Sequence, residues 1–229
     1  MKILVTSGGT SEAIDQVRAI TNHSTGQLGK IISEKLLAAG HEVFLITTRR
    51  AVKPAPHPQL TIREITNTQD LLETVKNVVQ DYQVFIHSMA VSDYTPVYMT
   101  SLEEVASIPN VVDLLSKKNE ESKISSKEEV QVLFLKKTPK VISLIKEWNP
   151  AIHLIGFKLL VDVSQDKLIQ VARNSLKTNQ ADLIVANDLS QIRDQQHLAY
   201  LVSNETVETV HTKEEIAQAL VKNIQNLNG

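Results

Sequence analysis

Between Ser7 and Lys30 the chain reads SGGTSEAIDQVRAITNHSTGQLGK, a polar, glycine-rich stretch between the apolar run Ile3-Leu4-Val5 and an amphipathic segment, Leu28 to Ala39. That order describes a strand, a long loop and a helix. Gly8 and Gly9 follow the strand directly, where a backbone without Cβ can bend sharply and approach an anion. Gly26 and Gly29 sit where the helix should start, beside Ser24 and Thr25. A helix N-terminus presents unpaired N–H groups and a partial positive charge, so the chemistry this stretch suits is the holding of phosphate. Neither common nucleotide loop is present: GxGxxG is absent, and Lys30 follows Gly29 without the upstream glycine or the Ser/Thr of GxxxxGK[ST]. The loop also carries Glu12, Asp15, Arg18, Asn22 and His23, which a plain turn does not need. A solvated loop whose glycines only make turns is the simpler alternative. A long polar loop straight after the first strand argues for function.

The elements around it suggest what else could join this site. Gly40 is a helix C-cap, Glu42 to Thr47 a buried strand, and Thr48 to Pro58, with Arg49, Arg50, Lys53 and three prolines, an irregular loop. Leu60 to Ile65 alternates like a strand, Asn67 or Thr68 caps a helix through about Val79, and Val84 to His87 is a fourth strand. Ser88 to Glu129 shows little periodicity beyond helical turns near Ser101 to Ser107 and Val111 to Lys117. Val130 to Leu135 is a strand, and Thr138-Pro139 reads as a helix start. Ile152 to Lys158 is a strand, Gln165 to Thr178 a helix, and Asp182 to Ala186 a strand ending in Asn187-Asp188. A hairpin, Ala199 to Ser203 with Val207 to His211, turns at Asn204-Glu205. Thr212 and Glu215 form a capping box for a helix to about Leu227. The pattern predicts one α/β domain over residues 1–229, with a three-layer, Rossmann-like, mainly parallel doubly wound sheet and a C-terminal β-hairpin.

In such a sheet ligands bind outside the carboxyl ends of the strands. Polar residues gather there from distant parts of the chain: the first loop, His87 to Asp93, Phe157-Lys158 and Asn187-Asp188. The charged tract 117–127 is a candidate flexible lid, whose lysines could close over phosphates, or else a solvated charge run. The seven histidines are scattered without metal-ligand spacing, and His87 could be a satisfied interior histidine. No GxSxG elbow supports a hydrolase triad. Arg49 and Arg50 stand where a dinucleotide enzyme using NAD would have an acidic residue, which keeps an NADP-dependent reductase as an alternative. A nucleotide-binding module without catalysis is a third.

Composition narrows the class. With 229 residues, 42% hydrophobic and 22% charged, the chain is an ordinary soluble globular domain. A formal net charge of -2 gives no nucleic-acid or anionic-membrane footprint. Without cysteine there is no disulfide framework, thiolate nucleophile or Cys-based metal site. The opening MKILVTSGG has too short an apolar stretch for a signal peptide, and no run approaches a membrane span, so a cytoplasmic location is expected.

Several segments then carry a resemblance. GGTSEAIDQVRAITNHSTG closely resembles the opening signature of the phosphopantothenate–cysteine ligase (phosphopantothenoylcysteine synthetase) family. MAVSDY at Met89 to Tyr94 resembles its second signature, KISS at Lys123 to Ser126 its lysine loop, and KTPKVI near Pro139 its next stretch. GFKLLVD at Gly156 to Asp162 and ADLIVAND at Ala181 to Asp188 complete the set. The resemblance covers essentially the whole chain in the same order. Many bacterial members are fused to a flavin-dependent decarboxylase, for which this chain has no room, so a free-standing ligase is expected.

The resemblance implies that 4′-phosphopantothenate is joined to L-cysteine in coenzyme A biosynthesis, through an acyl-nucleotidylate made from CTP or ATP, with Mg²⁺ as the triphosphate's counter-ion. It implies that Asn22 holds the acyl intermediate and that Lys123 acts on the phosphates from the flexible loop. Gly8, Gly9, Thr10, Ser24 and Gly26 would line the phosphate turns. His87, Ser88, Met89, Asp93, Pro139, Lys140, Val141, Ile142 and Phe157 would surround the nucleotide. Lys177, or the neighbouring Arg173, would reach the triphosphate, and Lys158 is either an additional positive charge near the site or a plain strand-end lysine. No metal is assigned to protein ligands. A homodimer is implied, with the hairpin at Ala199 to His211 an available edge, as is functional pairing with a separate phosphopantothenoylcysteine decarboxylase.

Overall fold

The computed structural model describes residues 1–193 and 196–228. In chain order the strands are β1 Lys2–Thr6, β2 Ser11–Ala13, β3 Ala19–Thr21, β4 Glu42–Thr48, β5 Leu60–Ile65, β6 Val84–His87, β7 Tyr94–Ser101, β8 Gln131–Lys137, β9 His153–Leu160, β10 Leu183–Arg193, β11 Gln196–Val202 and β12 Val207–Val210. The α-helices are α1 Gln27–Ala38, α2 Thr68–Val78, α3 Leu102–Ser107, α4 Ile145–Trp148, α5 Gln165–Asn179 and α6 Lys213–Gln225. None of the described helices is long and apolar enough to cross a membrane.

Eight strands form one sheet in the order β12-β11-β10-β9-β6-β1-β4-β5. The six from β10 to β5 are parallel, and β11 and β12 add antiparallel at the far edge. From β1 the chain winds outward through β4 and β5, then returns to β6 on β1's other side. The crevice between β1 and β6 is therefore the topological switch point. Strand residues alternate between two cores. Ile3, Val5, Val84 and Ile86 pack with α1 and α6, while Leu4 and Phe85 pack with α2 and α5. This is the expected three-layer fold.

Local chemistry sets the helix ends. Ile32 and Leu36, one turn apart on α1, are fully buried; each such side chain contributes about 1.5–3 kcal/mol. Gly40, at φ 82°, lets its own N–H reach Leu37 O and that of His41 reach Leu36 O, closing the helix. Asn67 and Asp70 form a reciprocal capping box on α2. At α6 Thr212 accepts the Glu215 N–H, but the Glu215 carboxylate reaches back to the N–H of His211 instead of that of Thr212.

Three parts differ from the sequence reading. The first loop contains a β-hairpin, β2 with β3. The stretch after Ser88 contains β7, which pairs antiparallel with β8 as a two-stranded arm outside the main sheet. Pro96 and a register irregularity between Pro96 and Tyr98 break the alternation that would have marked it. Thr138 does not cap a helix; its hydroxyl donates to Ser92 O, and Val141–Leu144 forms a 3₁₀ turn leading into α4. In addition, β10 continues to Arg193, so Asn187-Asp188 lies within the strand.

Candidate active site

At the switch point two turns are tied together. Gly9 and Ala90 form a parallel bridge just past β1 and β6. Ala90 donates its N–H to Gly8 O at 2.9 Å, and Thr10 donates to Ala90 O at 3.0 Å. Gly8 has φ 87°, and a Cβ there would lie 2.8 Å from the Ala51 Cβ, so conformation and space both require glycine. At Gly9 the limit is space alone: a Cβ would sit 2.7 Å from the Asn22 carbonyl oxygen. The glycines thus let the end of β1, the turn after β4 and residue 22 approach one another.

Asn22 is half-buried, and its side chain is oriented by its neighbours. Its Nδ2 donates to Ala90 O at 3.2 Å and lies 3.4 Å from Ser92 Oγ. A flipped amide would set Oδ1 against the Ala90 carbonyl, so the orientation is fixed by the network. Among the described residues Oδ1 accepts nothing, which leaves an acceptor for an incoming donor. Ser92 is fixed in turn: its N–H donates to Thr10 Oγ1 at 2.9 Å, and the Thr10 hydroxyl donates to Ser92 Oγ at 3.0 Å. Below it the buried Glu12 carboxylate accepts from both the N–H and the hydroxyl of Thr68, at the first turn of α2. Glu12 is therefore a support of the loop.

Ser24 and Gly26 precede α1, and no side chain caps that helix at Gly26. Its N-terminus stands at the carboxyl ends of the strands. Across the crevice Ser88 Oγ donates to Thr6 O at 2.6 Å, Met89 is buried, and Thr6 Oγ1 lies 2.7 Å from His87 Nδ1. His87 is thus an interior histidine at the edge of the site. Asp93 is exposed and accepts the Thr138 N–H on its carbonyl, which places Pro139 to Ile142 beside the same turn. Ile142 packs against Gly156 in β9, where a Cβ would be 2.8 Å from its Cδ1. Phe157 follows Gly156, the partner of His87, and packs on the α1 side with Leu28.

The tract 117–127 is docked at several points. Lys117 pairs with Glu104 at 2.7 Å and sits over the Tyr98 ring, and Asn119 bonds both backbone groups of Met99. Ile124 is buried, and its backbone meets Asp15 and Arg18 at the tip of the β2–β3 hairpin. Arg18, helped by backbone N–H groups, holds the Asp15 carboxyl well below the usual carboxylate range. Lys123, between Ser122 and Ile124, is exposed.

Two expected contributors fall elsewhere. Lys177 lies in the last turn of α5, which runs back from the carboxyl to the amino edge of the sheet. At about 1.5 Å per residue it stands some 18 Å along the axis from the helix start, away from Asn22. Arg173 is one turn nearer, still on the exposed flank. A lysine near a helix end looks the same in sequence at either edge of a sheet. Asp188 also differs from a free strand-end acid. Its carboxylate accepts from the N–H groups of Asp162, Val163 and Ser190 and from the Ser190 hydroxyl. The Val163 N–H above all, with the Ser190 hydroxyl next, lowers it to about 2. It holds the turn after β9, where Asp162 has φ 52°.

Two histidines make the fold acid-sensitive. Burial lowers His87 from 6.5 to about 4, and burial with the Lys213 charge does the same to His197. The unfolded chain takes up these protons below about pH 6.5, whereas the folded chain resists until about pH 4. Stability is therefore full above that window and falls as pH drops through it, by on the order of 3 kcal/mol for the fully buried His87 and by less for His197, where solvent screens part of the shift. Thermal melts between about pH 7 and about pH 4.5 should show a falling Tm, less steep in His197→Asn. A pH-indifferent Tm in the native chain would contradict the neutral, buried state.

The family described as DNA/pantothenate metabolism flavoprotein C-terminal domain matches residues 1–102 and again 98–227. The chain belongs to this family. It is 31% identical to the Coenzyme A biosynthesis bifunctional protein CoaBC of Thermococcus kodakarensis, over 99% of this chain and 51% of that protein. It thus spans about half the length of the CoaBC relatives it matches. It is 26% identical to the Phosphopantothenate–cysteine ligase of Mus musculus, over 96% of this chain and 81% of that one. Among solved structures, the DNA/Pantothenate Metabolism Flavoprotein from Streptococcus pneumoniae matches with TM-score 0.96 at 69% identity, over 99% of both chains. The C-terminal domain of a CoaBC protein matches with TM-score 0.72 at 27% identity, over 99% of this chain and 94% of that one.

Within this family fold, the sequence reading gave no supporting role to Ala90, Ser92 and Thr68, which fix Asn22 and its hairpin. The available signal was the small-residue run directly after a buried strand in MAVSDY.

Proposed function

We propose that this chain joins 4′-phosphopantothenate to L-cysteine in coenzyme A biosynthesis, activating the carboxylate with a nucleoside triphosphate. The observation that carries this reading is the fixed amide of Asn22, its acceptor oxygen free, at the switch-point crevice of a chain in this family. The names of the relatives, CoaBC and Phosphopantothenate–cysteine ligase, support it.

The chemistry follows in two displacements. A carboxylate oxygen of phosphopantothenate attacks the α-phosphorus, the P–O bond to pyrophosphate breaks, and an acyl-nucleotidylate remains. The cysteine amine then attacks the acyl carbon, loses a proton, and expels the nucleoside monophosphate as the amide forms. Most of the acceleration comes from positioning and charge stabilisation. Asn22 Oδ1 accepts from the attacking amine and orients it on the acyl carbon. Lys123 neutralises charge on the phosphates. Gly8, Gly9, Thr10, Ser24 and Gly26 line the turns around them beside the α1 N-terminus. His87 to Met89, Asp93, Pro139 to Ile142 and Phe157 flank the nucleotide. Mg²⁺ arrives with the triphosphate as co-substrate, held by phosphate and water.

The reading extends to assembly. Exposed apolar side chains concentrate on the β7–β8 arm and its following turns: Tyr94, Leu102, Val112, Leu115 and Val130 are each more than 40% exposed. On the edge strand β12 Val207 is exposed at 37%. The arm, more than the hairpin at Ala199 to His211, is the surface for a homodimer. Sedimentation should give a dimer, which Val112→Glu weakens; a monomeric native chain would refute this. The product is a thiol-bearing carboxylate, the substrate class of a separate phosphopantothenoylcysteine decarboxylase.

Pyrophosphate release tests the reaction, with CTP and ATP compared side by side. Release should require both phosphopantothenate and cysteine for continued turnover, and the ratio of rates identifies the base preferred. No release with either nucleotide would overturn the assignment.

A further inference from the structure

The tip of the β2–β3 hairpin grips one residue of the lysine loop by both sides of its backbone. Asp15 Oδ2 accepts the Ile124 N–H at 3.1 Å, and Arg18 Nη2 donates to Ile124 O at 3.0 Å. The two side chains are locked to each other by Arg18 Nη2 and Nε on the same Oδ2, at 2.6 and 3.0 Å. A third strut is the Gln16 N–H, which donates to Ser122 O at 3.1 Å. The Ile124 side chain is buried at 6% exposure, and Asp15's at 1%. Lys123 lies between the two gripped residues and is exposed, so the loop is fixed on either side of an exposed ammonium.

The same hairpin carries Asn22 at its other end. Three residue pairs, Ser11 with Thr21, Glu12 with Ile20 and Ala13 with Ala19, connect the gripping tip to the base where Asn22 follows β3. One rigid element therefore holds both residues assigned to the reaction. We propose that Asp15 is a positioning residue: it latches the loop at Ile124 so that Lys123 is presented at a fixed place relative to Asn22. This rests on the role given to Lys123 above. Without the latch, ordering the loop around each substrate would carry a conformational entropy cost at every turnover.

Asp15→Asn separates the latch from the hairpin's own turn. Oδ1 accepts from the N–H groups of Val17 and Arg18, an Asx turn that asparagine keeps. Oδ2 becomes an NH₂, which faces the Arg18 guanidinium and the Ile124 N–H as donor against donor. Asp15→Asn should lower kcat about tenfold or more in the native background, and change it little in the Lys123→Ala background, because it acts only through Lys123. Trypsin should also cut the loop faster in the variant. Arg18→Ala, which removes the bond to Ile124 O and the lock on Asp15, should reproduce both effects should Asp15→Asn fold poorly. An equal fall in kcat with and without Lys123 would overturn the proposal, as would unchanged cleavage. A Lys123→Ala enzyme with native turnover would instead remove the role of Lys123, leaving trypsin cleavage to judge the latch alone.

Discussion

Asn22→Ala should lower kcat by about a hundredfold or more while leaving nucleotide affinity close to native. The fold has little stake in this side chain. It is half-buried, and the Ala90 carbonyl it touches keeps its 3.0 Å bond from the Thr10 N–H. What is lost is an acceptor already held in place, which acts only when an amine approaches the acyl carbon. Asn22→Asp should not rescue: a second carboxylate oxygen would replace the donor facing Ala90 O and disturb the orientation. Equilibrium binding of the nucleotide and single-turnover pyrophosphate release would separate the two half-reactions. The first displacement should proceed in the alanine variant, and the second should stall. Native turnover in Asn22→Ala would remove Asn22 from the chemistry.

Gly9→Ala should be nearly as damaging, and from the other direction. The added methyl would lie 2.7 Å from the Asn22 carbonyl oxygen and 3.3 Å from its Cβ, both belonging to the residue whose placement matters. Relief requires the backbone at residue 22 to move, and a shift of about 1 Å at a reacting group can cost on the order of a hundredfold in rate. Overpacking alone costs about 1–3 kcal/mol of stability. Gly40→Ala is the control. At Gly40 φ is 82° and nothing lies within 4 Å of the added Cβ. That change should cost about 1 kcal/mol through backbone strain and leave kcat unaltered. Equal losses of turnover in the two variants would mean that Gly9 matters only for stability.

Much of this was legible in the sequence because it is local. The inner parallel strands open on apolar runs bounded by turns, the edge strand β5 alternates, and the caps at Asn67 and Thr212 announce themselves within four residues. The first loop drew notice because glycines and polar residues directly follow a buried strand, and MAVSDY because it resembles the family's second signature. What escaped depends on pairings that no short window contains. β7 carries a proline and a register irregularity, and its partner β8 lies some 30 residues on. The grip of Asp15 on Ile124 joins residues 109 apart. Asp188 read only as a polar strand-end residue because its partners in the turn after β9 lie a helix away in sequence. Lys177, carried over from the family resemblance, stands in the last turn of α5, and which edge of the sheet a helix end reaches depends on chain direction.

The path of the carboxylate oxygen is the most direct test of the proposed chemistry. Phosphopantothenate labelled with ¹⁸O in its carboxylate would be turned over with cysteine and the preferred triphosphate, and the products examined by mass spectrometry. Attack on the α-phosphorus followed by amine displacement leaves one labelled oxygen on the nucleoside monophosphate, with unlabelled pyrophosphate. Label appearing in orthophosphate would mean attack on the terminal phosphorus, and with it the acyl-nucleotidylate would fall.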